Sequence, residues 1–277
     1  MPRHRRVRGA MGRHAALIAA AIIVLFPFLW IAAAAFKSQI SLLSGQILFQ
    51  PTLANFDEVL FSRSSEYSAN FVNSLIIAAV STLVVLAVST LGAYSINRMR
   101  WPRWFVNTLL LWSAIFQMIP PITMVGAWYV MFRGVGLDNT YAGLVLAHVT
   151  LNLPMALWLM SAFVREVPIE LEEAARIDGC STPRMLWSVI TPLMAPGLAA
   201  TGILVFVFSW NEFPVALNLT GRRTATVPVA IAKYAQDFEI LYTQMAASAL
   251  LSTMPALLLL LFGQRYIVKG LMAGSLK

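Results

Sequence analysis

Long stretches without Lys, Arg, Asp or Glu dominate this chain. They run over 15–36, 67–97, 104–132, 139–164, 185–211 and 240–264, with a seventh at 38–56. The hydrocarbon core of a bilayer needs about 20 largely apolar residues in a helix, and the first six stretches all exceed that. The seventh is uncharged without being apolar: it is rich in Ser, Gln and Gly and contains Pro51. It is rejected as a span. The pattern predicts an all-α integral membrane protein with six transmembrane helices, an outer connector over 37–70, a short outer turn near Arg133–Asn139 and an outer loop over Gly221–Glu239. The largest inner loop runs over 165–196.

Composition agrees. The 277 residues are 59% hydrophobic and only 12% charged, with mean hydropathy +0.73, whereas soluble domains carry roughly 25% charged residues. Such a chain folded in water would expose most of its apolar surface, and disorder requires the opposite composition. The single Cys180 excludes an internal disulfide, and three histidines (His4, His14 and His148) do not make a multi-histidine metal site. Arginines 3, 5, 6, 8 and 13 precede the first apolar run, as in a secretory signal. That run is 22 residues long, against about 7–15 for a signal core, so it is read as a retained first span.

The net charge of +8 would suggest nucleic acid in a soluble protein; here it sets orientation. With the N-terminus inside, fourteen basic residues fall on inner segments and six on outer ones. The positive-inside bias therefore puts both termini in the cytoplasm. The expected organisation is a basic N-terminus (1–14), a six-helix membrane domain (15–264) and a C-terminal tail (265–277).

Five of the twelve acids (Glu166, Glu170, Glu172, Glu173 and Asp178) sit in the 165–196 loop. Pro168 suits a helix first turn, with Glu170, Glu172 and Glu173 where the helix dipole favours acids. Gly179 supplies a stop, and Thr182-Pro183 reads as the cap and first residue of a second helix. Leu171, Ala174, Ala175 and Asp178 are expected on one face by i, i+3, i+4 spacing. The short helix reads as one that sits in a groove on another protein, or else as a charged interfacial helix that only completes the bundle.

Glu173-Ala174-Ala175, Gly179 after three residues, Val189 after nine more and Pro192 after a further two resemble the EAA loop of ATP-binding-cassette importer permeases. Val189 and Thr191 stand where that family usually has Ile and often Leu. Trp210-Asn211-Glu212-Phe213, Val227-Pro228-Val229, the run from Gln264 to Leu271 through Gly274 to Lys277, and Asn55-Phe56 are similar to the MalG-type permease subunit of carbohydrate importers. The resemblance covers nearly the whole chain and is weakest before residue 15.

It implies a type I ABC importer permease fold in the prokaryotic cytoplasmic (inner) membrane. It also implies a loop that docks a cytoplasmic ATPase through Glu173, Ala174, Ala175, Asp178, Gly179 and Pro192. The implied partners are a second homologous permease, two ATPase domains, an extracytoplasmic solute-binding protein, lipid and a sugar; nucleic acid is not among them. ATP and Mg would be used by the ATPase subunits, with no cofactor or metal on this chain.

No G-x-x-x-x-G-K-[ST] phosphate cradle, G-x-S-x-G elbow or H-E-x-x-H pair occurs, so no ATP hydrolysis by this chain and no catalytic residue are expected. The energy must come from a partner. The alternative class, an ATP-independent secondary transporter or channel subunit, needs an ion relay, for which the intramembrane acid supply is essentially Glu212. A membrane enzyme lacks an acid/base or metal cluster.

Polar and proline positions inside the spans are the candidate pathway or gate: Gln117, Pro120, Pro121, Asn152, Asn211 and Glu212. Pro120-Pro121 should kink or break the third span, and broken helices can line substrate paths. His148, Asn152 and Pro154 form a second polar, kinked stretch, with His148 read as an interhelical hydrogen-bond partner. With a fifth span from Gly197, Glu212 falls roughly 22 Å along it. It reads either as a gate residue with Asn211 or as an interfacial residue solvated from outside. Trp128, Trp158 and Trp210 read chiefly as packing or interface anchors.

Overall fold

The computed structural model describes residues 3–235 and 240–273, with side-chain surroundings for 13–14, 16–235 and 240–264. Among these the chain is helical, apart from an isolated antiparallel bridge between Ala235 and Ile240. Four helices are long and apolar enough to cross a membrane alone, over Ala16–Ala35, Tyr67–Arg98, Tyr141–Glu166 and Tyr242–Gln264. Two bent pairs, Arg103–Gln117 with Pro121–Gly134 and Thr182–Leu193 with Ala195–Trp210, bring the number to six where each pair is counted as one broken span.

The chain divides into two compact units. The first comprises Met1–Ser68 and Ile231–Met254. Its long helix α1 (Arg3–Ala35) leaves the large apolar side chains between Leu17 and Ile31 uncovered: Ile23 is 73% exposed. Helices α2 (Gln39–Leu43) and α3 (Ala54–Phe61) occupy the connector, and no span forms there. Buried Asn55 donates from Nδ2 to the carbonyls of Ala35, which α1 leaves open at its end, and of Lys37 just beyond it, at 2.8 and 2.7 Å. Phe56 packs on Phe36, with ring centres 5.0 Å apart. Gln39 donates to the Ile240 carbonyl, and the Tyr67 hydroxyl donates to the Ser248 carbonyl.

The second unit comprises Ala69–Ala230 and Pro255–Lys277. It holds most of α4 (Tyr67–Arg98), then α5 (Arg103–Gln117), α6 (Pro121–Gly134) and α7 (Tyr141–Glu166). The inner-loop helix α8 (Ile169–Ile177) follows, then α9 (Thr182–Met185), a π-helical stretch over Leu186–Ile190, and α10 (Thr191–Leu193). The unit continues with α11 (Ala195–Trp210), α12 (Pro214–Leu219) and most of α13 (Val227–Ala232), and takes in the later part of α14 (Tyr242–Ala273). Helices α1 and α14 run past the expected membrane limits at 15 and 264.

Helix α7 is the spine of this unit: Leu144, Ala147, His148, Asn152, Ala156, Met160 and Val164 are buried at helical spacing along it. Small residues let neighbours come close. A Cβ on Gly197 of α11 would run into the Phe163 ring of α7, and one on Gly202 would press on Leu86 of α4.

The expected break at Pro120-Pro121 is a 98° bend between α5 and α6. The residue before a proline is pushed out of helical geometry, and Pro120 is extended, at φ −61° and ψ 132°. Pro154 by contrast lies inside an unbroken α7; a single proline removes one donor, and the flanking helix carries on. The window 185–211 is not one straight span, because its first part is bent 79° from α11. Pro192 and Pro196 each lack the N–H that would extend the hydrogen-bond ladder through the corner. The straight part, Ala195–Trp210, is about 24 Å long.

Candidate functional site

Two features of the second unit carry the chemistry. The first is α8. Its N-cap is Pro168, one position before the first helical residue, so the proline precedes the first turn. The glycine stop forms as the spacing predicts. Gly179 sits at φ +79°, its N–H bonds the Arg176 carbonyl, and the Cys180 N–H reaches back to the Ala175 carbonyl at 2.9 Å. These are the paired bonds of a Schellman ending, and Cys180 packs into the core beside Ala175. The next helix is capped at Ser181 rather than Thr182, with no side-chain bond.

The expected single face of α8 divides. Leu171, Glu173, Ala174, Asp178 and Gly179 are exposed, as is Pro192, but Ala175 is buried with Glu172 against α4 and α7. Ala175 lies three residues on from Glu172 and so shares its inner side, while Ala174, 100° away, falls on the open side. Ile177 is 86% exposed and Leu171 42%, so apolar knobs stand among acids on the open side.

Buried Glu172 meets Arg98, the last residue of α4, with Nε 2.6 Å from Oε1. The same guanidinium donates to the carbonyls of Val164 and Val167 at 2.8 and 2.6 Å. Sequence reasoning placed Arg98 among the orientation charges and Glu172 among the dipole acids, and did not pair them. They lie 74 positions apart, and only Glu172 sharing a face with Ala175 hinted that this acid points inward.

The second feature is a cavity of about 210 Å³ at the α5–α6 break, lined by Phe116, Gln117, Pro121, Asn152, Phe208 and Glu212 among others. Four of the six candidate pathway residues therefore meet at one place. Pro120 shapes the break as the cap of α6. Asn211 is exposed and donates from Nδ2 to the Val207 carbonyl of its own helix.

Glu212 lies past the end of α11, not inside a span. Its carboxylate turns forward and accepts from the Val215 and Ala216 amides of α12, both at 2.8 Å. Both are donors that a helix start leaves unpaired. His148 is fully buried and joins α7 to α11 through Nδ1 and the Ser209 hydroxyl at 2.6 Å, as the interhelical reading expects. Its Nε2 approaches Glu212 Oε2 to 3.6 Å. Asn152 donates to the His148 carbonyl at 2.8 Å.

This cavity offers a carboxylate, two amides and two aromatic rings, which suits hydrogen bonding and stacking rather than acid–base catalysis. No group of three His, Cys, Asp or Glu that could hold a metal occurs among the described residues. Trp210 is buried between Phe71 and Phe206, and Trp158 donates to the Ser113 hydroxyl at 2.9 Å, which are packing roles.

At the opposite end of the unit, Asn139 adopts φ +50° and its Oδ1 accepts from the Gly221 amide and the Thr224 hydroxyl, both at 2.8 Å. Asn73 donates to the carbonyls of Arg223 and Ala225, and Ser74 accepts from the Val227 amide. The first part of the 221–239 loop is thereby fixed; residues 236–239 lie outside the described residues, as do the motif positions from Gly274 to Lys277.

The family profile described as "Binding-protein-dependent transport system inner membrane component" matches residues 88–272. The trehalose transport system permease protein SugB of Mycobacterium tuberculosis is 36% identical over 91% of this chain and 92% of its own. The trehalose/maltose transport system permease protein MalG of Thermococcus litoralis is 36% identical over 93% of each. Among solved structures, a bacterial ABC transporter involved in the import of the acidic polysaccharide alginate aligns with a TM-score of 0.78 at 20% identity. The alignment covers 96% of this chain and 98% of that one, a likeness of fold. With six apolar spans, an EAA loop and relatives of this length, the chain belongs to the binding-protein-dependent transport system inner membrane components, the multi-pass permeases of ABC importers.

Proposed function

We propose that this chain is one of two permease subunits of a sugar importer, energised by two cytoplasmic ATPase domains and supplied by an extracytoplasmic solute-binding protein. The observation that carries the ATPase coupling is α8: a nine-residue helix held on one side by its own bundle, with Leu171 and Ile177 exposed beside Glu173, Ala174 and Asp178 on the other. Such a helix has an open face to insert into a groove of a partner. Glu173, Ala174, Asp178, Gly179 and Pro192 make the docking surface, and Ala175 holds the helix from behind. The termini and the 165–196 loop face the cytoplasm, with the membrane domain over 15–264. ATP and Mg are bound by the ATPases.

Gln117, Pro121, Asn152 and Glu212 belong to the translocation path, with Pro120 setting the break and Asn211 at its outer edge. The rings of Phe116 and Phe208 beside the amides of Gln117 and Asn152 match the alternating apolar faces and hydroxyls of a sugar. Both similar permeases named above act on disaccharides by their names, which supports the substrate class. The runner-up, an ATP-independent transporter or channel, is not favoured: the Glu212 carboxylate is committed to capping α12.

The test is reconstitution of the chain with co-purifying partners, measuring binding-protein-stimulated ATP hydrolysis with trehalose, maltose and a longer oligosaccharide. Stimulation by at least one sugar is expected. Gly179→Asp, which puts a charge on the docking surface, should lower ATPase co-purification or coupling about tenfold while leaving membrane insertion intact. Normal coupling in that variant, or transport without any ATPase, refutes the docking role.

A further inference from the structure

The side of α8 turned away from its open face contains a joint that the transport role leaves unexplained. Glu172 is 1% exposed, which for a carboxylate in a helix first turn exceeds anything the dipole demands. Its Oε1 lies 2.6 Å from Arg98 Nε, and its Oε2 accepts from the Tyr94 hydroxyl at 3.3 Å. Both partners belong to α4.

Arg98 does more than neutralise the acid. It also binds the carbonyls of Val164, in the last turn of α7, and of Val167, the residue that caps that helix. One guanidinium thus fastens the end of α4, the end of α7 and the first turn of α8. A planar five-donor fork can do this; a lysine ammonium, a point donor, does not match the set. Two further bonds stitch the same corner: Asn97 Nδ2 to the Ser161 hydroxyl and Arg165 Nε to Asn97 Oδ1, both at 2.7 Å.

A buried ion pair resists sliding, because separating the partners strands a charge away from water. Displacement of α8 therefore drags the end of α4 with it. We propose that the Arg98–Glu172 pair is the joint through which movement of the docking helix is delivered to α4, making both residues positioning residues for coupling. The proposal rests on the transport role above and adds the route by which force enters the membrane helices.

The test uses the complete reconstituted complex carrying Arg98→Lys or Glu172→Gln. Three quantities are read: ATPase bound per permease, basal ATP hydrolysis, and sugar uptake per ATP with the panel sugar that stimulates the wild-type complex most. Both variants should retain the ATPase and its basal rate, while uptake per ATP falls at least tenfold. Arg98→Lys keeps the charge and loses the fork, so failure of Lys to rescue coupling separates a joint from mere charge balance.

Should a single variant fail to accumulate, Arg98→Met/Glu172→Met, which buries no lone charge, carries the same expectation. Uptake per ATP within twofold of wild type overturns the joint, and so does loss of the ATPase from the variant complexes, which would make Glu172 part of the docking surface. A wild-type complex that binds no ATPase overturns the transport role itself and is seen before any variant is made.

Discussion

At the scale of single residues, the same type of side chain takes opposite roles a few positions apart. Glu172 and Glu173 are adjacent acids, yet one is locked on Arg98 and the other is exposed. Nothing in their chemistry distinguishes them; the direction of each Cα–Cβ bond on a helix packed on one side does. Glu212 shows the same limit. Its presence beside Asn211 marks a functional position in the sequence, but its carboxylate serves two backbone amides of α12. Glu212→Ala leaves those donors without their acceptor, a loss of about 1–2 kcal/mol. Hydrogen exchange at the Val215 and Ala216 amides should speed up roughly tenfold, the factor that about 1.4 kcal/mol corresponds to. Unchanged exchange there would show that the cap contributes nothing.

Among elements, the breaks matter more than the spans. Hydrophobic windows located six crossings, because a run of apolar residues has few alternatives in a bilayer. The third window contains its own warning in Pro120-Pro121, and the 98° bend follows from it. The fifth window gives a weaker one, with Pro192 and Pro196 four residues apart, and its first part is bent 79° from α11. Small residues at helix contacts were equally silent. Gly197 looks like any glycine near a helix start, but only in three dimensions does it face the Phe163 ring. Gly197→Ala should cost about 1–3 kcal/mol by overpacking, seen as a lower melting temperature of the purified protein, and Phe163→Leu should restore most of it. Absence of rescue would show that the α7–α11 approach is not what Gly197 permits.

For the whole molecule, charge placement supplies orientation. Within the second unit, Arg98, Glu172 and the ends of α4 and α7 gather at one end, while Asn139, Gly221 and Thr224 gather at another. In a Cys180→Ser background, a cysteine at Ile177 should react with a membrane-impermeant maleimide only from the cytoplasmic side. A cysteine at Gly136 should react only from outside. Labelling with the sides reversed would invert the topology assigned from the basic residues.

The sequence by itself determined the solvent, the number of crossings, the EAA spacing and the polar residues that do not belong in lipid. Each of these depends on composition or on short-range spacing, where helix geometry and the cost of burying charge act residue by residue. Tertiary structure decided which of those residues meet. Gln117 and Pro121 at one break, Asn152 and Glu212 come from three separate stretches of the chain and line one cavity. Glu172 finds Arg98 across 74 positions, and Ala175 turns inward beside an outward Ala174. Those outcomes depend on how whole helices pack, a property that no local window contains.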